Sequence, residues 1–274
     1  MDRKEHLNEM ARKIRYYTMD EIGHLGVGHV GGCLSLAELL AVLYFGDVMR
    51  IRPEQPQWQQ RDRFVLSKGH AGPALYATLA LKGYFPMEQM HTLNKPETSL
   101  PSHCDMNRTV GVDMTAGSLG QGYSCAVGMA KAAKIRQYDA RVFAVIGDGE
   151  AQEGQIWEAS MAAAQFKLNN LITYLDYNGK QIDGTVDEVM SLGDPAEKWR
   201  AFGYRVWTVD GHDVQAILQA TNEAMKPSTA PAMIVLKTIK GKGVSFIEAA
   251  GCSNHNMPLT SEQTKLALDE LSRR

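Results

Sequence analysis

The chain has 274 residues, 44% of them hydrophobic and 22% charged, the make-up of a globular protein with a substantial core rather than a disordered or fibrous one. Its formal net charge of −2 gives no strong field for nucleic acid or for a membrane surface. The longest apolar stretch, Leu36 to Phe45, is broken by Glu38 and is too short to span a bilayer.

The elements follow in chain order. Asp2 to about Ile22 is charged and helical in pattern, with no secretory core, so a cytoplasmic chain is expected. Ser35 is a candidate N-cap for a second helix, Leu36 to about Gly46, with Glu38 in its first turn. Arg63 to Ser67 fits a short strand, and about Pro73 to Lys82 a helix. From Tyr84 to Gly117 turn residues are spread throughout, and an irregular stretch of this length inside a domain is usually functional.

The pattern then becomes regular. A small-residue helix, Leu119 to Gln137, precedes the strand Val142–Ile146, and a helix from about Gly154 to Lys167 precedes the strand Leu171–Asp176. A helix near Pro195 to Phe202, the strand Tyr204–Val209, the helix Val214 to about Met225 and the strand Ala232–Lys237 follow. Strands alternating with helices of this length predict an α/β fold, a mostly parallel sheet with helices on both faces. Ser261 to Arg274 reads as a final surface helix. No repeat or linker divides the chain, so residues 1–274 are expected to form a single domain. Four scattered cysteines (Cys33, Cys104, Cys125, Cys252) form no CxxC pair and read as reduced thiols filling space.

Chemistry concentrates where two strands end. One runs into Gly147-Asp148-Gly149-Glu150 and the next into Tyr177-Asn178-Gly179-Lys180. Successive parallel strands place their carboxyl ends on one edge, where open α/β sheets bind ligands. An aspartate oxygen and an amide oxygen are hard ligands suited to magnesium, which keeps further positions for phosphate oxygens. The flanking glycines let backbone approach a phosphate, and the helix starting near Gly154 offers unpaired N–H groups. Either pair alone is an ordinary turn; both together point to a cation–diphosphate clamp. Among the eight histidines, His29, His70, His103 and His255 sit beside glycine or in loop segments, whereas His6, His24 and His91 read as surface or core residues. His212 lies in a turn, where it is expected to bond backbone.

This pattern resembles the thiamine-diphosphate enzymes, whose signature is a GDG followed about thirty residues later by an asparagine. Further segments make it similar to the transketolases, from about Ala11 to about Leu259. They are Gly28-His29-Val30-Gly31-Gly32, Ser67-Lys68-Gly69-His70, Pro101-Ser102-His103, Gly117-Ser118-Leu119-Gly120-Gln121-Gly122, Asn178 to Gly184, Asp210-Gly211-His212-Asp213, Gly241-Lys242-Gly243 and His255. Val30, Ser102 and Ser118 depart from the family's usual residues without loss of a chemical group.

The resemblance implies ketol transfer with thiamine diphosphate and magnesium, calcium being able to substitute. It implies a metal shell from Asp148, Asn178 and the Lys180 carbonyl. His29, His103 and His255 would line the sugar channel. His70, Gly117, Gly147, Gly149 and His255 would approach the cofactor, and Leu119 and Ile182 would pack on its thiazolium ring. Glu153 corresponds to a glutamate near the subunit interface linked to proton movement between sites. The family's pyrimidine-binding and C-terminal domains are expected on a separate chain. The expectation is therefore the diphosphate-binding subunit of a split transketolase, paired with a C-terminal subunit in an α2β2 heterotetramer acting on a sugar or sugar phosphate. Two other half-enzymes compete: the α subunit of a 2-oxoacid dehydrogenase, and a relative of the deoxyxylulose-phosphate synthases. The GxGxxG match at Gly26–Gly31 follows a helical segment rather than a strand, so it lacks the context of a nicotinamide site. A scaffolding protein that has lost its chemistry would not be expected to keep Asp148, Asn178 and four histidines.

Overall fold

The computed structural model describes residues 2–273. Its strands are β1 (Val27–Gly28), β2 (Arg63–Leu66), β3 (Val142–Gly147), β4 (Leu171–Tyr177), β5 (Arg205–Asp210), β6 (Ala232–Lys237) and β7 (Met257–Pro258). The helices of the first half are α1 (Arg3–Leu25), α2 (Val30–Leu34), α3 (Ala37–Phe45), α4 (Gly72–Lys82) and α5 (Gln121–Ile135). Those of the second half are α6 (Gly154–Gln165), α7 (Val186–Met190), α8 (Pro195–Ala201), α9 (Val214–Ala224), α10 (Ser245–Ala249) and α11 (Ser261–Ser272).

Five strands form one parallel sheet in the order β2-β3-β4-β6-β5. Side chains alternate between its faces, and each set joins a different core. Phe64, Leu66, Phe143, Val145, Ile172, Tyr174, Ile234 and Leu236 pack with residues of α1, α3, α4 and α9. Val65, Ala144, Ile146, Leu171, Leu175, Met233 and Val235 pack with α5, α6 and α8 on the other face. Helices thus cover both faces, which is why the central strands are apolar throughout rather than alternating. β3 lies directly beside β4, with Gly147 opposite Asp176, so the two glycine turns emerge side by side.

The helix boundaries match the sequence periodicity to within a few residues, with two informative differences. Ser35 is not the N-cap of α3; it closes the short helix α2, which has no sequence signal, and its hydroxyl is spent on the Gly32 carbonyl and on Asp176. α11 is not purely a surface helix, because Ala267 and Leu271 are buried in the same core as α1. Arg274, at its expected end, lies outside the described residues. α7, α10 and a two-residue antiparallel ribbon of β1 with β7 carry no periodic signal. The four cysteines are free, and no helix among the described residues is long and apolar enough to cross a membrane.

One core residue stands apart. Glu21 of α1 is 0% exposed, and among the described residues neither carboxylate oxygen has a hydrogen-bond partner. Burial, and next the charge of Asp20, push its carboxyl well above the usual range. Its folded pKa exceeds its unfolded one, so the folded chain holds the extra proton. Stability from this group is complete below about pH 4.5 and falls by about 1.4 kcal/mol per pH unit above it, until the folded pKa is reached. Glu21→Gln should therefore melt higher than the parent at pH 8, with the difference closing toward pH 4.5. Melting curves of the two proteins that stay parallel across this range would refute the assignment.

Candidate active site

A cavity of about 360 Å³ opens at the carboxyl edge of the sheet. It is lined by every residue expected from the sequence: His29, His70, His103, Gly117, Leu119, Gly147, Asp148, Gly149, Glu153, Asn178, Lys180, Ile182 and His255. Lys68, Glu150, Gln152, Gln181 and Lys240 join them, although nothing in the sequence assigns them a role there.

The clamp is built by the adjacent ends of β3 and β4. Asp148 is 2% exposed, and its two oxygens accept from the backbone N–H groups of Gly149 (2.8 Å) and Gly179 (2.6 Å). Burial, and next the charge of Asp176, push its carboxyl up to about 6 against those two bonds. Among the described residues no side-chain cation pairs with it. Asn178 donates its amide N–H to Asp176 (3.3 Å), and its Oδ1 accepts from the Lys180 N–H (3.1 Å), leaving a lone pair on that oxygen. Among the described residues no group of three His, Cys, Asp or Glu side chains could hold a metal unaided. The donor set fits an ion shared with the oxygens of a ligand: one under-compensated buried carboxylate, one amide oxygen, and no closed protein cage.

Behind the clamp Asp176 is fully buried and ties four segments together. It accepts from Lys68 Nζ (2.5 Å), Ser35 Oγ (2.7 Å), Thr238 Oγ1 and Asn178. Burial alone would raise this carboxyl; the Lys68 ammonium and the hydrogen bonds from Lys68, Thr238 and Ser35 hold it below its usual range. Lys68 also donates to the Gly32 carbonyl (2.9 Å). Glu150 does similar work on the other flank, accepting from Ser67 Oγ, from Gly120 N (2.9 Å) and from Gly147 N (3.1 Å).

Four imidazoles face one another across the cavity. His29 lies 5.5 Å from His70, 5.3 Å from His103 and 5.4 Å from His255 between ring centres, and His70 lies 4.9 Å from His255. They come from distant parts of the sequence. The β1–β7 ribbon, with Gly28 opposite Met257, helps set His29 beside His255. Gly31 allows the close approach, since a Cβ there would lie 2.1 Å from Asn254 Oδ1. Burial is the first cause that lowers the pKa of each ring. His255 is brought down to about 3, with Lys240 the next contributor, and His70 lies well below the usual value. At neutral pH His70 and His255 are therefore uncharged, each with one donor and one acceptor nitrogen. Lys240 Nζ lies 3.2 Å from His255 Nδ1. An ammonium can only donate, so His255 carries its proton on Nε2. Burial and Lys68 bring the Lys240 ammonium down to about 8.

Leu119 and Ile182 stand at the mouth with 37% and 66% of their surface exposed. Glu153, also exposed, is the N-cap residue of α6 and makes no side-chain capping bond. His212 lies outside the cavity and, as expected, bonds backbone: its Nε2 accepts from Ile239 N (2.8 Å).

The fold is an α/β domain whose cavity at the sheet's carboxyl edge is lined by Asp148, Asn178 and four imidazoles. Residues 6–272 match the family of the transketolase thiamine diphosphate binding domain. The 6-deoxy-6-sulfo-D-fructose transketolase subunit SqwG of Clostridium sp. (strain MSTE9) is 55% identical over 97% of this chain and 96% of its own length. An apulose-4-phosphate transketolase subunit of Phocaeicola vulgatus is 39% identical over 98% and 95% respectively. The transketolase structure from Campylobacter jejuni superposes with a TM-score of 0.90 at 33% identity, over 98% of this chain but 43% of that one. The chain thus spans less than half the length of that solved transketolase. The chain belongs to the transketolase family. It is a transketolase subunit serving ketol transfer, and neither the oxoacid dehydrogenase nor the deoxyxylulose-phosphate-synthase reading is favoured.

Proposed function

We propose that residues 1–274 form one diphosphate-binding domain that holds thiamine diphosphate through a magnesium ion, calcium being able to replace it. Asp148 and Asn178 supply side-chain oxygens and Lys180 its carbonyl. That carbonyl accepts from Lys240 Nζ at 3.3 Å, a long contact that is weak enough to yield to a cation. Lys240 and Lys68 place two ammonium groups on the cavity wall, where the diphosphate's negative charge would lie. Leu119 and Ile182 offer apolar surface for the thiazolium ring, and His70, Gly117, Gly147 and Gly149 complete the cofactor's walls. The cofactor supplies carbanion stabilisation; the protein binds, orients and moves protons.

His29, His103 and His255 are the catalytic groups toward the sugar. A ketol unit exposes hydroxyl and carbonyl oxygens that must be held and must exchange protons near neutral pH. An uncharged imidazole such as His255 can donate to one oxygen and accept from another. Glu153 stands at the rim as a proton-carrying group toward a neighbouring subunit. The observation that carries the whole reading is the single cavity in which the Asp148–Asn178 clamp faces four imidazoles.

The working enzyme is a cytoplasmic α2β2 heterotetramer in which a C-terminal transketolase subunit brings the pyrimidine-binding domain and its activating glutamate. The support is that two relatives matching this chain end to end are themselves named subunits. Their names also set the order of donors to test, 6-deoxy-6-sulfo-D-fructose first and apulose 4-phosphate second. The decisive assay mixes this chain with a transketolase-like second chain, thiamine diphosphate, magnesium and a panel of ketoses. Ketol transfer only in the mixture is expected. Full turnover by this chain alone would overturn the two-chain assignment.

A further inference from the structure

A row of polar groups, buried at Arg15 and Glu38 and more exposed beyond His212, connects α1 to the turn that carries Lys240. Arg15 grips Glu38 with two bonds (Nη1 to Oε1 2.7 Å, Nη2 to Oε2 2.6 Å) and donates Nε to the Leu34 carbonyl (3.2 Å). Glu38 Oε2 meets His212 Nδ1 at 3.1 Å. His212 Nε2 meets the backbone N–H of Ile239 at 2.8 Å, and His212's own N–H donates to Asp210 Oδ1 (2.8 Å). The next residue after Ile239 is Lys240, whose ammonium lines the cavity, and Thr238 before it donates to Asp176.

The donors and acceptors fix the protonation. A backbone N–H can only donate, so Nε2 is the acceptor and the ring's proton sits on Nδ1, facing a carboxylate. Burial would raise the Glu38 carboxyl, but the Arg15 charge and the bonds from Arg15 and His212 hold it at about 2. Glu38 thus remains an anion, and an anion at Nδ1 selects the tautomer that leaves Nε2 free to accept. The arrangement follows the general logic by which a second-layer partner sets which imidazole nitrogen is used.

We propose that His212, keyed by the Arg15–Glu38 pair, is a positioning residue that pins the Thr238–Lys240 turn and so aims the Lys240 ammonium at the cofactor's diphosphate. This rests on the reading of Lys240 as a cation on the cofactor side. The side chains of asparagine and glutamine separate the two ends of the imidazole. Asparagine can imitate Nδ1 and keep the bond to Glu38, whereas glutamine can reach the position of Nε2 and accept from Ile239.

The test uses the assembled two-chain enzyme and two readouts: amide hydrogen exchange of Ile239 and Lys240, and the apparent KM for thiamine diphosphate against kcat at saturation. His212→Asn should speed exchange of the Ile239 amide about tenfold and raise the cofactor KM about tenfold, with kcat at saturation changed less than about twofold. His212→Gln should recover at least half of both losses. An Ile239 amide as protected in His212→Asn as in the parent, or equal damage from both variants, would overturn the proposal. Turn loosening with an unchanged cofactor KM would retain the pinning of the turn and overturn its link to the cofactor. Lys240→Met then separates the two ideas: if it too leaves the cofactor KM unchanged, the failure belongs to the reading of Lys240 and not to His212.

Discussion

Asp148→Ala is expected to lower the assembled enzyme's affinity for thiamine diphosphate in magnesium by about 10²–10³-fold. Asp148 accepts two backbone N–H bonds, from Gly149 and Gly179, that hold the two glycine turns to each other. Hydrogen bonds to a charged group contribute about 1.5–3 kcal/mol each, so losing both loosens the clamp before any metal is considered. The carboxylate is also the one anionic side chain of the proposed shell, and its removal leaves the ion with two neutral protein ligands. A combined loss of about 3–4 kcal/mol corresponds to the stated range. Calorimetric titration of the complex at fixed magnesium measures it directly. An affinity within about threefold of the parent would remove Asp148 from the metal shell. Asp148→Asn is the informative companion: it nearly preserves shape and should fail by almost as much, because charge is the property lost.

The sheet is legible in the sequence because its strands are buried on both faces and bounded by turn residues. Val142–Ile146 is a continuous apolar run, Leu171–Leu175 is broken only by Thr173, and each strand extends one residue further in the structure than its pattern predicts. The clamp is legible for the same reason, since two glycine-flanked polar residues at the ends of adjacent parallel strands share an edge. The histidine cluster is not legible from the residues alone. His29 and His255 meet through a ribbon of two residues per strand, too short to leave a period, and through the contact of Gly31 with Asn254. Lys68 and Lys240 give no sign of their role, although both lie within or beside recognisable motifs. A lysine reads as surface unless its burial is known, and both are 2% exposed. Ser35 looks like the cap of the helix that follows it, yet its hydroxyl bonds the Gly32 carbonyl and a residue 141 positions away rather than the start of α3. Such a long-range demand on a short polar side chain has no local signature.

The buried pair Lys68–Asp176 carries the other large expectation. Lys68→Met keeps the length and most of the volume of the side chain but removes the charge, leaving Asp176 in the core with neutral donors only. Breaking a buried pair by removing one partner costs about 3–5 kcal/mol, because the remaining charge stays uncompensated. For a chain of this size that corresponds to a melting point lower by roughly 6–20 °C. Removing both charges is a different perturbation. Lys68→Met combined with Asp176→Asn leaves no ion behind, and it should recover at least about 1–2 kcal/mol of the single-variant loss despite carrying one more substitution. Thermal melting of the parent, both single variants and the double variant closes the cycle; additive losses would show that the two charges do not sense each other. Recovery of stability is not expected to restore cofactor binding. Asp176 is the shared acceptor for Ser35 between α2 and α3, Lys68 after β2, Asn178 after β4 and Thr238 after β6. An amide at that position has one accepting oxygen where the carboxylate has two, so at least one of these segments loses its anchor. The double variant should therefore fold better than Lys68→Met and still bind thiamine diphosphate weakly, separating the ion pair's part in stability from the carboxylate's part in assembling the site.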